Sequence, residues 1–231
     1  MDQGVLAADY RPSAGVRLRI QAYDRGFDRL LLVAPRAGEP FATSGFVVGS
    51  GASRGMSLDA AVSSRRFGAF ASYGMQSVRR AYGDSSYVPG HGATHLLEGG
   101  VTAFPTATLS IRLGAAGAFG RRTTAASGGL EWESCNLLDR GCEFRGSPHL
   151  GSEPLGAAPL PSYFRVDIGV RKHWRVGIGG RDGVIALFAT ITNVFDRKNV
   201  LTYSREPATG ALTPVELRPR APLVIGLDWR F

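Results

Sequence analysis

The one arrangement in this chain that matches a nucleophilic catalytic motif is Gly51-Ala52-Ser53-Arg54-Gly55. In α/β-hydrolases such a G-x-S-x-G turn exposes the serine hydroxyl between a strand and the helix that follows it. Here residues 56–63 alternate between apolar side chains and other residues, which is the two-residue period of a strand. We therefore expect a loop that ends and a strand that begins at this motif, and we expect no enzyme.

Two histidines, His91 and His95, have a spacing that would place metal ligands on one face of a helix. They lie instead where a loop is predicted to enter a strand, and no carboxylate or thiol nearby completes a ligand set. Glycine-rich stretches at 49–55 and 177–183 lack the spacing or the lysine of phosphate-binding loops, so we expect turns there. The sequence therefore predicts neither a metal site nor a cofactor.

The longest predicted loop, residues 120–162, contains carboxylates, arginines and aromatic rings together. Its carboxylates between residues 131 and 143 have no fixed spacing that would indicate acid–base catalysis. Loops on a rigid scaffold commonly carry binding residues. We expect this loop to contact an external small-molecule ligand through Trp132, Arg140, Phe144 and Arg145.

Two cysteines, Cys135 and Cys142, lie close together in the same loop. A disulfide between them would suit an oxidising compartment such as a periplasm or a cell surface. Two unpaired thiols that happen to be neighbours are the alternative, because sequence does not establish connectivity. We expect the disulfide and keep the second reading open.

Composition argues against several classes of protein. The net charge is +8 and the pI about 10.1, but the charge is nearly all arginine, since Lys172 and Lys198 are the only lysines. The arginines are scattered through predicted strands without a basic run or a base-stacking motif, so we expect no nucleic-acid partner. No apolar stretch reaches the roughly 18 residues of a transmembrane helix. The 31 glycines and 13 prolines argue against a helical bundle.

Alternation of apolar and polar residues is the dominant pattern along the chain. It is clearest in residues 16–33, 106–119, 163–173 and 222–231, where apolar residues at every second position oppose charged ones. A strand places such charges on one face, whereas a helix would distribute them around its surface. The charged face is expected to hold Arg17, Arg19, Arg112, Arg165, Asp167 and Arg171.

Over the whole chain this period predicts about nine strands and no helix. Short and long connections alternate strictly between them. A soluble sandwich has no reason to keep all its long loops at one end, whereas outer-membrane barrels have short periplasmic turns and long external loops. The strands are predicted at residues 3–11, 16–33, 52–64, 67–80, 93–103, 106–119, 163–173, 184–195 and 222–231.

The last third of the chain resembles the TonB-dependent receptor family of outer-membrane proteins. Residues 160–170, LPSYFRVDIGV, resemble the third-from-last strand of that family. Residues 191–200, ITNVFDRKNV, resemble its Asn-Val/Leu-Phe-Asp-Arg/Lys segment on the penultimate strand. The aromatic end at Phe231 resembles the signal by which such barrels are recognised for assembly.

The resemblance implies an all-β fold, in which residues 1–231 are the C-terminal portion of an antiparallel transmembrane β-barrel of roughly 22 strands. It implies a place in the cell outer membrane, with its lipid and the barrel-assembly machinery as partners, and a charged face that lines the lumen. The implied function is TonB-coupled uptake of a scarce external ligand: an iron chelate (siderophore), cobalamin or an oligosaccharide.

Part of the family's pattern has no counterpart in this sequence. The family contacts the TonB complex through an N-terminal plug, which we do not find, and residues 1–6 lack the basic start and apolar core of a signal peptide. We therefore expect a fragment of a larger receptor, which would reach TonB only through the missing plug.

Two other classes of protein stay open. One is a small self-contained outer-membrane barrel acting as an adhesin or a channel, although nine strands would break the even-number habit of bacterial barrels. The other is a soluble β-sandwich binding module, whose apolar side would face a second sheet. Dependence on detergent would separate the second class from the first.

Overall fold

The computed structural model describes residues 1–34, 45–90, 92–124, 126–127, 155–178, 181–205, 209, 211–217 and 222–230. Within these residues the chain is all-β, with no helix. Its strands are β1 (Asp2–Ser13), β2 (Val16–Ala34), β3 (Gly45–Ser63), β4 (Phe67–Tyr82), β5 (Ser85–Tyr87), β6 (His95–Thr106), β7 (Leu109–Phe119), β8 (Arg122–Thr123), β9 (Ala126–Ser127), β10 (Ala158–Pro159), β11 (Tyr163–Ile178), β12 (Arg181–Ile191), β13 (Asn199–Arg205), β14 (Leu212–Leu217) and β15 (Leu223–Arg230).

The main sheet is a meander in which the long strands follow one another in the order β1-β2-β3-β4-β6-β7-β11-β12-β15. Every neighbouring pair on this path is antiparallel. The short strand β5 is added to the end of β4 as a hairpin. The nine predicted strands correspond to the nine long strands of this path, and the described residues add six short strands that were not predicted, β5, β8, β9, β10, β13 and β14.

The largest difference from the predicted boundaries is in β3, which begins at Gly45 and includes residues 49–55. The expected turn at 49–55 is wrong. The glycines there lie beneath side chains of the neighbouring strand β2: a Cβ at Gly51 would meet Leu30, and one at Gly55 would meet Tyr23. These glycines make room for β2 side chains, so the G-x-S-x-G motif lies inside a strand.

Connections between the long strands alternate strictly in length. The links at 14–15, 64–66, 107–108 and 179–180 are short, and those at 35–44, 83–94, 120–162 and 192–222 are long. Because consecutive strands run in opposite directions, all the short links lie at one end of the sheet and all the long ones at the other. We call these the short-turn end and the long-connection end.

The two faces of the main sheet differ in chemistry. Directly paired residues share a face, so the register carries each face from strand to strand. The apolar face includes the paired row Val16, Val62, Ala69, Val101, Leu113, Ile168, Ile191 and Leu223. The charged face includes the paired row Asp9, Arg19, Asp59, Ser72, Glu98, Ala116 and Arg165.

The main sheet is one layer thick over the described residues. Large apolar side chains stay exposed on the apolar face, for example Leu58 at 48%, Leu113 at 47% and Ile225 at 65%. The few buried apolar residues of the described part are Leu32, Ala93, Ala158, Ala186 and Val200. The backbone ladders, and not a packed interior, therefore hold this sheet together.

Small sheets link the long connections to one another at the long-connection end. Strand β8 pairs with β10, and β13 pairs with both β14 and β9. The buried Thr123 hydroxyl lies 3.1 Å from the Thr202 hydroxyl, which ties the connection after β7 to the connection after β12. These contacts give the long-connection end a structure of its own above the main sheet.

Candidate functional site

The charged face carries ion pairs in the central rows of the main sheet. The Arg17 guanidinium on β2 donates to the Asp9 carboxylate on β1 at 2.8 Å. One strand further, the Ser72 hydroxyl on β4 donates to the Asp59 carboxylate on β3 at 2.6 Å. Charges of opposite sign thus alternate over β1, β2 and β3, and each of the two contacts joins two neighbouring strands.

A second group of charges lies near the short-turn end of the same face. Arg171 on β11 donates to Asp228 on β15 at 2.8 Å, and this contact reaches across the intervening strand β12. It passes over Ala186, whose exposure is only 2%, because a small side chain on β12 leaves space for the guanidinium. The last three strands are therefore linked on the charged face as well as through their backbones.

The segment Asn193–Asn199 forms a turn that docks on β11. Strand β12 ends at Ile191, so the predicted strand 184–195 is too long and the family-like segment follows the strand. The backbone N–H of Asn193 donates to the Asp167 carboxylate at 2.9 Å, and the N–H of Val194 donates to the carbonyl of Val166 at 2.8 Å. The turn is thus attached to β11 at two points.

Asparagine suits the first position of this turn for a stereochemical reason. Asn193 has φ of 54°, in the left-handed region that Asn tolerates better than most residues. Its amide donates to the Arg197 carbonyl at 3.0 Å and accepts from the Arg197 N–H at 3.3 Å. One buried side chain therefore closes the turn by satisfying both backbone groups of Arg197.

Asn199 closes the other end of the turn. Its amide donates to the Phe164 carbonyl at 2.9 Å and accepts from the Phe164 N–H at 3.0 Å. This two-bond contact continues the ladder of β11 with a side chain instead of a strand. Asn199 is only 3% exposed, so leaving either amide group unpaired would carry a desolvation cost.

Two arginines at the long-connection end bind backbone carbonyls. Arg121 donates to the carbonyl of Val200 at 2.8 Å, and Arg122 donates to the carbonyl of Gly156 at 2.8 Å. They line a cavity of about 330 Å³ together with Gln76, Thr94 and Leu160. Because their donors are directed at the chain itself, these guanidinium groups hold the connections in place.

The structure brings together only some of the predicted site residues. Arg17, Arg19, Arg112, Arg165, Asp167 and Arg171 all lie on the charged face of the main sheet, as the alternation predicted. The proposed ligand contacts Trp132, Arg140, Phe144 and Arg145, the cysteines Cys135 and Cys142, and the terminal Phe231 lie outside the described residues.

His95 faces an aromatic ring on the apolar face. Its Nδ1 lies 2.8 Å from the Tyr73 hydroxyl, and the two rings stack with centroids 6.0 Å apart. His91 lies outside the described residues. Among the described residues no group of three His, Cys, Asp or Glu side chains is arranged to hold a metal ion.

Some residues of these surfaces were not predicted from the sequence. The predicted strand ends at residue 173, whereas β11 continues to Ile178 and adds Arg175 to the charged face. Asn193 and Asn199 lie in the family-like segment 191–200, but no local pattern signals their contacts with Asp167 and Phe164, which are distant in sequence. Lys172 lies on the apolar face, where its amine donates to the Thr108 hydroxyl at 2.6 Å.

No family model matches the chain, and no curated protein is significantly similar to it. A search of the described residues for helices that are long and apolar enough to cross a membrane finds none.

Replacing Asn199 by Asp tests the clamp on Phe164. The variant loses the amide donor to the Phe164 carbonyl, so we expect the free energy of unfolding to fall by about 1–3 kcal/mol. We also expect protease cleavage within residues 192–217 to become faster. Urea unfolding and limited proteolysis of the chain folded in detergent micelles measure both effects.

Asp196→Asn is the matched control, because Asp196 is exposed in the same turn and its φ of 46° suits Asn. This change should leave the unfolding midpoint and the cleavage rate as they are. If the two variants behave alike, the Asn199 amide does not hold the turn.

Proposed function

We propose that this chain forms the C-terminal strands of the β-barrel of a TonB-dependent outer-membrane receptor, and that its function is energised uptake of a scarce external ligand. The observation that carries the proposal is the continuous apolar face, whose large side chains stay exposed from β2 to β15. Exposed apolar patches of more than a few hundred Å² are unusual on soluble monomers. Lipid is the solvent that suits such a face.

The depth of the apolar face suits a tilted membrane-spanning strand. Along β4 it extends from Phe67 to Met75, which is about nine residues, or roughly 27 Å of strand at about 3.3 Å per residue. Strands that cross a bilayer need about 9–11 residues because they are tilted. The strands are also longer than the apolar stretch, so their ends would project beyond the lipid.

Aromatic side chains border the apolar face at the short-turn end. Trp174 and Trp229 flank Ile185 in one paired row and are 45% and 59% exposed. Such amphipathic rings favour the boundary between lipid and water. Lys172 fits the same boundary, since its long stem follows the apolar face while its amine bonds to Thr108 in the adjacent short turn.

The separation of charge between the faces is what a barrel wall requires. A charged side chain on the lipid face of a barrel costs roughly 2–4 kcal/mol at the middle of the membrane. The row that includes Asp9, Asp59 and Arg165 lies on the opposite face, where a water-filled lumen would solvate it. We infer that the charged face lines the lumen.

The directions of the two outer strands support a larger barrel. Both β1 and β15 run from the long-connection end to the short-turn end, and they are the two edges of the described sheet. Pairing them with each other would create a parallel contact, so an all-antiparallel barrel needs an odd number of further strands between them. A barrel with an even total number of strands meets this requirement, because an even total minus these nine strands leaves an odd number of further strands.

The proposed partners follow from this placement. Outer-membrane lipid would contact the apolar face, the barrel-assembly machinery would recognise Phe231, and TonB would act through a plug inside the lumen. The ligand belongs to the classes that the family takes up: iron chelates, cobalamin or oligosaccharides. The long-connection end, with its linked connections, is the side from which the ligand would enter.

A soluble β-sandwich explains the observations less well. Such a fold would cover the apolar face with a second sheet of similar size. In the described part of the chain the other sheets have two and three strands and are built from the long connections. A self-contained barrel of these nine strands would need the parallel contact between β1 and β15.

Arginine substitutions at two neighbouring positions of β7 test whether the apolar face contacts lipid. Ala115 lies on the apolar face between Gly99 and Val166, and Ala116 lies on the charged face directly opposite Glu98. We expect Ala115→Arg to prevent insertion, with a cost of roughly 2–4 kcal/mol, and Ala116→Arg to insert like the unaltered chain. Protease protection of the two variants in outer membranes isolated from cells that make the protein is the measurement.

The two variants add the same side chain to adjacent positions and differ only in the face that receives it. Equal insertion of both, or equal failure of both, would contradict the assignment of the apolar face to lipid.

Uptake has its own test in a strain that lacks the coding sequence. Uptake of labelled ferric chelates, cobalamin and oligosaccharides is measured with and without a protonophore. We expect this strain to lose energy-dependent uptake of one ligand class. Uptake should return when the strain receives a gene carrying Ala116→Arg, but not when it receives one carrying Ala115→Arg. Unchanged uptake of every class would exclude the receptor function while leaving the membrane assignment intact.

A further inference from the structure

The charged face contains a cationic trough at its short-turn end. The trough runs over β12, with Val184 and Ala186 as its floor, and the strands on either side form its walls. One wall carries Arg171, His173 and Arg175 of β11, and the other carries Asp228 and Arg230 of β15. Its volume is about 330 Å³.

We propose that this trough binds an acidic polypeptide segment in the lumen. The inference rests on the proposed function, since a lumen-lining face is where such a segment would meet the trough. It goes further by naming the chemistry of the partner, carboxylate side chains on an extended chain, and the residues that receive it.

The register builds the trough from three neighbouring rows. Arg175, Val184 and Arg230 share one row, and His173, Ala186 and Asp228 share the next. The third row holds Arg171, Phe188 and Gly226. Because the walls belong to strands two positions apart, their backbones are separated by roughly 10 Å. The small Ala186, only 2% exposed, keeps the floor low between them.

The charges of the trough are not balanced within it. Asp228 accepts from Arg171 at 2.8 Å and lies 3.8 Å from the Arg230 guanidinium, so two arginines share one carboxylate. Arg175 contributes a third positive charge and has no hydrogen bond or ion pair to any other described residue. The three arginines and one aspartate of the trough therefore give it an excess of about two positive charges.

The remainder of the charged face is different. Its central rows hold both signs of charge, and contacts such as Arg17 with Asp9 and Arg165 with Asp167 neutralise them within the sheet. The trough differs from these rows in holding three arginines to one aspartate, with Asp182 on the same face of β12 two residues before Val184. Carboxylates are the groups that guanidinium forks bind with the best geometry.

The shape of the trough favours an extended polypeptide over a single small anion. Its floor follows β12, where Ala186 is already covered and Val184 is 37% exposed, so a chain lying along it would cover Val184. Side chains at alternate positions of such a chain point to opposite sides and would reach both walls. A phosphate ion would leave Val184 uncovered.

Binding of a labelled peptide to the chain folded in detergent micelles tests the proposal. The probe is a short fluorescein-labelled peptide of alternating Glu and Ser, followed by anisotropy at constant ionic strength. We expect the double variant Arg175→Gln/Arg230→Gln to bind it about tenfold more weakly, because two charge-assisted contacts are lost. Arg171 is left unchanged because it holds Asp228.

The matched control is Arg19→Gln/Arg112→Gln, which removes the same charge from the charged face outside the trough. This variant should bind the peptide like the unaltered chain. A peptide of alternating Gln and Ser should bind weakly to all three proteins.

Three outcomes would overturn the proposal. They are equal loss of binding in both double variants, equal binding of the Glu and Gln peptides, and displacement of the peptide by inorganic phosphate at the concentration of the peptide itself. The last result would assign the trough to small anions. Vesicle insertion of the same preparations is measured in parallel, so failure of the trough and failure of the membrane assignment are told apart.

Discussion

The antiparallel register of the main sheet is the constraint on which the rest of the structure depends. Side chains alternate between faces, so a slip of one residue between two strands would exchange the apolar and charged sets. The paired row from Val16 to Leu223 stays apolar across eight strands, and the row from Asp9 to Arg165 stays polar or small across seven. The two rows therefore keep opposite chemistry across the sheet.

The register also determines where the contacts between strands form. Arg171 reaches Asp228 because both lie on the charged face and because Ala186 between them is small. The Asn193–Asn199 turn docks on β11 because Asp167 lies beside the end of β12, where its carboxylate meets the Asn193 N–H. A sheet without a packed interior depends on such contacts, together with its ladders, to fix its last strands.

The strands and their faces could be predicted because a period of two residues is local information. Residues 163–173 reveal their two faces without reference to any other segment, and the structure places all six predicted charged residues on one face. Boundaries that depend on neighbours could not be predicted in this way. The turn predicted at residues 49–55 is wrong because these glycines make room for Leu30 and Tyr23 of another strand, and the local sequence does not show that contact.

The contacts of the candidate site could not be predicted from the sequence for the same reason. Asn199 binds the backbone of Phe164, which lies 35 positions earlier, and no pattern of residues signals that pairing. The cationic trough depends on the register of three strands, which brings its charged side chains together and which no local pattern of residues reveals. The predicted ligand contacts around Trp132 lie outside the described residues and stay predictions.

Contact of the apolar face with lipid is the central claim, and nitroxide labels placed singly at residues 110–117 of β7 test it most directly. The protein, with Cys135 and Cys142 replaced by Ser, is labelled in isolated outer membranes, and collisions of each label with oxygen and with a water-soluble nickel complex are compared. We predict a period of two, with odd-numbered positions favouring oxygen and even-numbered positions favouring nickel. Uniform accessibility to nickel along residues 110–117 would contradict the claim, since it would mean that both faces meet water.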